Sequence, residues 1–404
     1  MRKHFIIIGG GQAATQAAQT LRQSNFDGDV TLVGEEPQLP YQRPPLSKHY
    51  LAGELDAERL HLRPAKFYAD RDITLELGTR AEHLEPSARQ VTLSDGRVLD
   101  YDGLLLATGS RVRKFDLPGA DLFGIHYVRS IADADAIRAE LLPGKKLVIV
   151  GAGYIGLEVA AVAATLGVDV TILEAADRVM ARVVCPAMSQ FYLGYHSNAG
   201  VEIHCNASVA AFHGHDGVDA VETAAGDRFS CDVVVVGIGI TPEVSLAEAS
   251  GLRCDNGIHV DDHARTEEPT IVAAGDCTTH PNPFAAGQIR LESVHNAIEQ
   301  AKTAALSLLG ESQPYAQVPW FWSDQFDLKL QIAGLSGAHD QIIIRGNPND
   351  RRFSACYLRD GRLVAVEAVN SPRDFMFGRK LIAAEAVVQP ERLADSETSL
   401  GELL

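Results

Sequence analysis

Residues 146–167 read KLVIVGAGYIGLEVAAVAATLG, and this stretch sets the architecture of the chain. A short apolar run leads into three glycines, Gly151, Gly153 and Gly156, and an alanine-rich helical segment follows. In a strand–turn–helix unit the first glycine permits a tight turn, the second lets the backbone approach a pyrophosphate, and the third allows helix and strand to pack closely. Unpaired N–H groups at the helix N-terminus favour the anion. The pattern predicts a dinucleotide-binding turn.

A second copy of this pattern lies near the start of the chain. Residues 5–23 read FIIIGGGQAATQAAQTLRQ, with Gly9 and Gly11 at the first two glycine positions. Ala14 occupies the third position, where alanine is an allowed variant. We call residues 9–14 the first glycine-rich turn and residues 151–156 the second glycine-rich turn. Two such turns predict two dinucleotide sites in one chain.

Each copy continues into a second strand that ends near an acidic residue, Glu35 in the first copy and Glu174 in the second. An acid at this position accepts a hydrogen bond from a ribose 2′-hydroxyl and repels a 2′-phosphate. Glu174 therefore predicts that NADH is preferred over NADPH. Arg178 lies near enough in sequence to weaken that preference.

Charge and apolar patterning narrow the class of protein. The formal net charge is −17, which argues against nucleic acids and anionic membranes as partners. The apolar run in MRKHFIIIGGG is too short for a signal peptide, and GELL at the end carries no lipidation signal. Every apolar run is shorter than a membrane span requires. We expect a cytoplasmic enzyme.

The six cysteines, at positions 185, 205, 231, 254, 277 and 356, form no CxxC pair. In a chain of this size, such spacing predicts reduced core thiols rather than a disulfide framework or a zinc site. The histidines show no metal-ligand spacing either, so no metal site is expected.

Two further segments, YDGLLLATGSRVR (101–113) and PTIVAAGDC (269–277), complete a resemblance. Together with the two glycine-rich turns, they resemble the two-dinucleotide flavoprotein reductases related to glutathione reductase. The resemblance implies an α/β fold with two Rossmann-like dinucleotide-binding domains, for FAD and NADH, plus a C-terminal α+β domain. The implied limits are 1–110 and 248–315 for the FAD-binding domain, 111–247 for the NADH-binding domain, and 316–404 for the C-terminal domain.

The pattern of the last hundred residues predicts the elements of that C-terminal domain. Strands are expected over 328–336 and 340–347, and over 353–370 with a hairpin turn at Asp360-Gly361. A helix is expected over 372–388.

The segment PYQRPPLSK, residues 40–48, separates this chain from the disulfide reductases of the superfamily. In those enzymes the corresponding region carries a redox cysteine pair, but here residues 1–184 contain no cysteine. Electrons would then leave the flavin directly for an external acceptor. With RLESVHNAIEQAK (290–302) and PWFWSDQFDLKLQIAGL (319–335), the segment resembles the FAD-dependent NADH:ferredoxin reductases of bacterial oxygenase systems.

That resemblance implies roles for particular residues. Lys48 would place a cation beside flavin N5, Glu158 would pair with it near the nicotinamide, and Trp322 would approach the flavin on the partner side. The implied FAD-binding residues are Gly9, Gly11, Ala14, Glu35, Lys48, Ala81, Thr108, Gly109, Arg129, Asp276 and Val294. The implied NADH-binding residues are Gly151, Gly153, Ile155, Gly156, Glu158, Glu174 and Gly239.

Each role has a structural alternative. Lys48 could be a surface lysine in a proline-rich turn, and Glu158 could favour a helix N-terminus through its charge. Asp276 could be a helix N-cap or a turn residue. Trp322 and its neighbour Trp320 could fill the core of the C-terminal domain.

The implied partner is a [2Fe–2S] ferredoxin, and the implied assembly is a monomer or a weak homodimer. Arg63 and Lys302 match positions that contact the redox partner in this branch. Residues 345–380 are locally basic, so we expect part of this segment to join them in a docking face. Its basic residues are Arg345, Arg351, Arg352, Arg359, Arg362, Arg373, Arg379 and Lys380.

Two alternative functions stay open at this point. An NADH oxidase or an NADH:rubredoxin reductase would share the fold, and rubredoxin also accepts single electrons. A flavoprotein of the apoptosis-inducing-factor type would act as a redox-gated signalling protein. It would be expected to carry a targeting segment or a basic nucleic-acid surface.

Overall fold

A computed structural model describes residues 2–404, and its contacts divide the chain into two compact units. The first unit comprises residues 2–42, Leu60–Arg111 and Thr241–Phe321. The second comprises Arg43–Arg59, Val112–Ile240 and Trp322–Leu404. The division into FAD-binding, NADH-binding and C-terminal domains stays a prediction, because the second unit contains both Val112–Ile240 and Trp322–Leu404. The segment Arg43–Arg59 differs, because its contacts place it in the second unit although the sequence embeds it in the first.

The first unit is built on a five-stranded parallel sheet. Side chains alternate between its two faces: Phe5 and Ile7 pack with the helix Gln12–Gln23, whereas Ile6 and Ile8 enter a separate core. Apolar cores on both faces are typical of parallel sheets. In sheet order the strands are Ile271–Ala273, Gly103–Leu106, His4–Ile8, Asp29–Gly34 and Ile73–Leu77.

Smaller elements surround this sheet. One three-stranded antiparallel sheet contains Ala81–Glu85, Gln90–Leu93 and Val98–Asp100, and another small sheet contains Ile258–His259, Thr278–Pro281 and Gln288–Ile289. The other helices are Ala65–Ala69, Ser245–Ala249 and Val294–Leu308. The strands Ser110–Val112 and Ile240–Pro242 and the 3₁₀ turn Ala57–Leu60 include the positions at which the chain passes from one unit to the other.

The second unit contains another five-stranded parallel sheet, with Lys146–Val150 at its centre. In sheet order the strands are Glu202–His204, Asp169–Leu173, Lys146–Val150, Val233–Val236 and Ile125–Tyr127. The helices are Ile131–Glu140, Tyr154–Thr165 and Pro186–Asn198, with the 3₁₀ helix Pro44–Ser47. An antiparallel sheet is formed by Val209–Gly214, Val218–Thr223 and Arg228–Ser230.

The C-terminal part of the chain forms a five-stranded sheet followed by helices, as an α+β arrangement requires. In sheet order the strands are Trp320–Gln325, Leu328–Gly334, Arg362–Val369, Arg352–Arg359 and Gln341–Asn347. The helices are Pro372–Ala383 and Pro390–Ala394, with 3₁₀ turns at Pro348–Asp350 and Leu400–Leu403.

The hairpin predicted at Asp360-Gly361 is confirmed, since both residues have positive φ, 51° and 72°. The helix predicted over 372–388 was too long, because it ends at Ala383. Glu385 adopts a left-handed conformation, φ 49°, and the Ala386 N–H donates back to the Leu381 carbonyl at 3.0 Å. This backbone geometry closes the helix.

Of the helices within residues 2–404, none combines the length and the apolar character that a bilayer crossing needs.

Arg345 has a structural role that its place in the basic segment did not predict. It is only 5% exposed, so it cannot belong to the expected docking face. Its guanidinium pairs with Asp374 at 3.1 Å and donates to the carbonyls of Leu393, Asp395, Ser396 and Thr398. Arg345 therefore fastens the C-terminal residues to the sheet.

We expect Arg345→Leu to destabilise the protein by about 3 kcal/mol, because it leaves the largely buried carboxylate of Asp374 without its cation. Arg362→Leu serves as the matched control, since its pair with Glu385 is exposed and should contribute less than about 1 kcal/mol. Urea unfolding followed by circular dichroism measures both. Equal losses in the two variants would contradict the role of Arg345.

Candidate functional site

The second glycine-rich turn connects the central strand of the second unit to the helix Tyr154–Thr165. Gly151 has φ +103°, and a Cβ there would lie 2.6 Å from the Gly237 carbonyl oxygen. A Cβ at Gly156 would lie 2.1 Å from the Gly151 carbonyl oxygen, so both positions need glycine for close backbone packing. Gly153 faces open space, because in residues 2–404 no heavy atom beyond its chain neighbours and local helix backbone lies within 4 Å of an added Cβ.

The first glycine-rich turn likewise contains one closely packed glycine and one glycine that faces open space. Gly9 has φ +139°, and a Cβ there would lie 2.1 Å from the Ala107 carbonyl oxygen, whereas Gly11 faces open space. Ala14 is fully buried against the sheet. Gly11 and Gly153 are also the N-cap residues of their helices, which have neither a side-chain cap nor a first-turn acid. Both turns therefore leave room and N–H donors for a pyrophosphate.

The acid of the second copy lies at its turn. Glu174 accepts hydrogen bonds from the backbone N–H groups of Ala152, at 2.6 Å, and Ala176, at 2.8 Å. Arg178 is occupied elsewhere, because it donates to the carbonyls of Ala181 and Val184 at 2.7 and 2.9 Å. Among the contacts found in residues 2–404, no hydrogen bond or ion pair joins Arg178 to Glu174, so the arginine does not pair with this acid.

The counterpart in the first copy is more exposed. Glu35 pairs with Arg111 at 3.3 Å, and Arg111 also pairs with Glu243.

Asp276 occupies a turn stabilised by buried polar side chains. A strand, Thr278–Pro281, follows it, so the alternative of a helix N-cap is excluded. Ser110 donates to the Asp276 carboxylate at 3.2 Å. Gln300 accepts from the Gly275 N–H at 2.8 Å and from the Thr278 hydroxyl at 2.9 Å, which fixes the turn.

The other predicted flavin contacts are distributed over both units. In the first unit, Ala81 begins a strand, Val294 begins the helix Val294–Leu308, and the Thr108 hydroxyl donates to the Glu243 carbonyl at 2.5 Å. Gly109 follows with φ +70°. Lys48 and Arg129 belong to the second unit, where Arg43 donates to the Arg129 carbonyl at 2.7 Å.

Lys48 and Glu158 form an almost fully buried ion pair, with 2.7 Å between Nζ and Oε2. Their side chains are 11% and 3% exposed, so the alternative of a surface lysine is wrong. The prolines of PYQRPPLSK open the 3₁₀ helix Pro44–Ser47, and Lys48 N–H donates to the Pro45 carbonyl at 3.0 Å. The predicted pairing is confirmed, while its catalytic role stays a prediction.

Two serines complete the surroundings of Glu158, and sequence reasoning missed both. Ser47 donates to Oε2 at 2.5 Å, and Ser323 donates to Oε1 at 2.6 Å. Both lie in quoted motifs, PPLSK and PWFWSDQ, beside Lys48 and Trp322. Trp322 itself is partly buried in the strand Trp320–Gln325. The only available signal was that each serine neighbours a residue to which a role had been given.

The remaining predicted residues flank the second turn or lie on the surface. Ile155, in the first turn of its helix, is 42% exposed, and Gly239 has φ +109° after the strand Val233–Val236. In the first unit, Arg63 donates to Gln19 at 2.8 Å, and Lys302 pairs with Glu299 at 2.7 Å.

Nearly the whole chain matches known proteins in sequence and in structure. The family model described as pyridine nucleotide-disulphide oxidoreductase matches residues 3–301, and a second, described as reductase C-terminal, matches residues 320–404. Rhodocoxin reductase of Rhodococcus erythropolis is 46% identical over 397 residues, covering 98% of this chain and 93% of the relative. A ferredoxin–NAD(P)⁺ reductase of a Sphingomonas species is 45% identical over 388 residues, covering 95% and 94%. The reductase in the crystal structure of the covalent putidaredoxin reductase–putidaredoxin complex matches with a TM-score of 0.96 at 40% identity, covering 99% and 98%.

We expect Gly153→Ala to fold normally and to weaken dinucleotide binding by about tenfold, because the added methyl group enters the space left for the pyrophosphate. Gly194→Ala is the matched control, since it also faces open space but lies within the helix Pro186–Asn198. Titration with NAD⁺, the oxidised form that cannot donate a hydride, followed by fluorescence, measures the affinity. Unchanged affinity in Gly153→Ala would show that the second turn does not hold the pyrophosphate.

Proposed function

This chain belongs to the pyridine nucleotide-disulphide oxidoreductase family, and on that premise we propose that it is an FAD-dependent NADH:ferredoxin oxidoreductase. Its acceptor is a [2Fe–2S] ferredoxin that feeds a cytochrome P450 or a Rieske-type oxygenase. When bound, FAD supplies hydride acceptance from NADH and stepwise release of the electrons. We place this activity in the cytoplasm, in a monomer or a weak homodimer.

The observation that carries the proposal is a chain with two dinucleotide turns and no cysteine in residues 1–184. The six cysteines that are present are all unpaired. Burial raises the pKa of Cys231 to about 12, of Cys254 to about 11 and of Cys356 to about 12, which suppresses the reactive thiolate. Because residues 1–184 lack cysteine, no dithiol route can run through that region, and we infer that electrons pass to an external acceptor.

The chain's own residues bind and orient the two cofactors. The first glycine-rich turn and Asp276 hold FAD, and the second turn with Glu174 holds NADH. Lys48 provides a fixed positive charge for the reduced flavin ring, and Glu158 with Ser47 keeps that charge in one position. We also propose that Arg129, Val294 and Trp322 contact the flavin.

Steady-state assays of the FAD-loaded protein with NADH and four acceptors test the proposal. The acceptors are a [2Fe–2S] ferredoxin, a rubredoxin, oxygen and a small disulfide. We expect the highest kcat/KM with the ferredoxin and no activity with the disulfide. A higher value with rubredoxin would reassign the acceptor, and activity with oxygen alone would indicate an oxidase. Slow flavin reduction with a persistent charge-transfer complex would instead favour the signalling flavoprotein.

Glu174 gives a specificity prediction. Because its carboxylate would repel a 2′-phosphate, we expect Glu174→Gln to raise kcat/KM for NADPH by about tenfold while NADH turnover changes less. Asp177→Asn removes a nearby exposed charge and serves as the control. Initial rates with both coenzymes measure the effect. Equal gains in the two variants would assign the preference to general charge rather than to Glu174.

The docking face is proposed on Arg63 and Lys302, with Arg345 removed from the C-terminal set. Arg351 and Arg362 of that set are engaged in exposed ion pairs with Asp327 and Glu385. Local positive charge would steer an acidic ferredoxin despite the net charge of −17.

We expect Arg63→Glu and Lys302→Glu to raise the KM for ferredoxin about fivefold each without changing ferricyanide reduction. Arg228→Glu, an exposed reversal in the second unit, is the control for net charge. Rates measured over a range of ferredoxin concentrations check this. The docking proposal fails if all three variants show the wild-type KM.

A further inference from the structure

A buried chain of polar side chains runs from Glu158 into the interior of the second unit. Ser323 contacts Glu158 Oε1 at 2.6 Å, Gln325 Nε2 contacts the Ser323 hydroxyl at 3.2 Å, and His196 Nε2 contacts Gln325 Oε1 at 2.9 Å. Ser323 and His196 are fully buried, and Gln325 is 1% exposed. Buried polar groups are costly unless they hydrogen-bond, so this arrangement needs an explanation.

The chemistry of the carboxylate fixes the direction of every bond in this chain. An ionised Glu158 can only accept, so the Ser323 hydroxyl must donate to it. The Ser323 oxygen then accepts from the Gln325 amide, which turns Gln325 Oε1 toward His196. His196 must carry its proton on Nε2 to donate there. All three donors therefore point toward Glu158 Oε1.

The surroundings of His196 agree with this assignment. Within residues 2–404, Nδ1 is buried and has no hydrogen-bond partner, which suits a bare lone pair better than an N–H group. The ring packs edge-on against Phe326, with 5.0 Å between the ring centroids. Burial lowers the pKa of His196 to about 4, so the imidazole is neutral at pH 7. A neutral Nε2–H imidazole is the form that the chain of bonds requires.

The two oxygens of Glu158 are thereby assigned to different tasks. Oε2 accepts from Lys48 and Ser47, whereas Oε1 accepts from Ser323 alone among the hydrogen bonds found for it in residues 2–404. Tyr154 and Tyr192 also interact electrostatically with this carboxylate, and burial raises the pKa of both phenols, so they remain neutral. Lys48 is thus the cation that Glu158 balances.

We propose that Ser323, Gln325 and His196 form a positioning relay that fixes Glu158 through Oε1, so that Oε2 holds the Lys48 ammonium in place. The inference rests on the proposed function, in which Lys48 stabilises the reduced flavin. Among the hydrogen bonds and ion pairs found in residues 2–404, none joins a relay residue to Lys48 or to a glycine-rich turn. They act through Glu158, and Ser323 is the positioning residue in direct contact with it.

Removing the Ser323 hydroxyl should affect the rate of flavin reduction rather than NADH affinity. A hydrogen bond to a charged group typically accounts for about a tenfold change in an equilibrium or a rate. We expect Ser323→Ala to slow the limiting rate of flavin reduction about tenfold, with the apparent Kd for NADH within about twofold of wild type. Ser323→Thr keeps the hydroxyl and should restore most of the rate.

Ser189→Ala is the matched control. Ser189 is a 2% exposed serine of the same unit, and it donates to the Val179 carbonyl at 2.6 Å, outside the relay. Its loss should lower the unfolding midpoint without slowing flavin reduction. Gln325→Met, which keeps the volume but removes the donor, provides a second test of the relay should Ser323→Ala fold poorly.

Anaerobic stopped-flow mixing of each FAD-loaded variant with a range of NADH concentrations separates the outcomes. In a Glu158→Gln background, Ser323→Ala should have no further effect if the relay acts through Glu158. The relay proposal would be wrong if Ser323→Ala slowed flavin reduction further in the Glu158→Gln background. It would also be wrong if Ser189→Ala slowed flavin reduction as much as Ser323→Ala does. If the wild-type protein is an active reductase and the relay variants reduce their flavin at the wild-type rate, only the relay proposal is rejected. Absence of NADH-driven flavin reduction in the wild type would reject the proposed function instead.

Discussion

The buried ion pair between Lys48 and Glu158 is the constraint on which the candidate site depends. A charge withdrawn from water is stable only when a countercharge and hydrogen bonds replace its hydration. Here the carboxylate accepts from one ammonium and two hydroxyls. Those donors come from the 3₁₀ helix Pro44–Ser47, from Lys48 and from the C-terminal strand, while the acid lies on the helix after the second glycine-rich turn. One carboxylate therefore joins three sequence-distant segments of the second unit.

The sequence predicted what local stereochemistry determines. Gly9, Gly151 and Gly156 could be assigned in advance, because a close backbone approach excludes a side chain at each of them. The hairpin at Asp360-Gly361 was predictable for the same kind of reason, since its turn needs two positive φ angles. The end of the helix predicted over 372–388 could not be predicted in this way, because Glu385 is an unusual residue for a left-handed helix terminus.

The sequence could not predict partners that tertiary packing supplies. Arg345 was counted with exposed basic residues, yet the chain folds its own C-terminal carbonyls onto it. The membership of Arg43–Arg59 in the second unit was equally hidden, because these residues lie within the first unit along the chain. The Lys48–Glu158 pairing came from a resemblance, which gave no role to Ser323, Gln325 or His196, although the first two lie within one of its segments. Polar contacts between residues far apart in the chain produce no periodicity or spacing in the sequence from which they could be predicted.

The central claim is that electrons from NADH leave this protein singly for an iron–sulfur partner without passing through a thiol. Sequential anaerobic stopped-flow mixing tests it most directly: the FAD-loaded protein is reduced with NADH and then mixed with an oxidised [2Fe–2S] ferredoxin. The account predicts rapid bleaching of the flavin, followed by rapid reoxidation as two equivalents of ferredoxin are reduced. Bleaching that the ferredoxin does not reverse, or no bleaching by NADH, would contradict it.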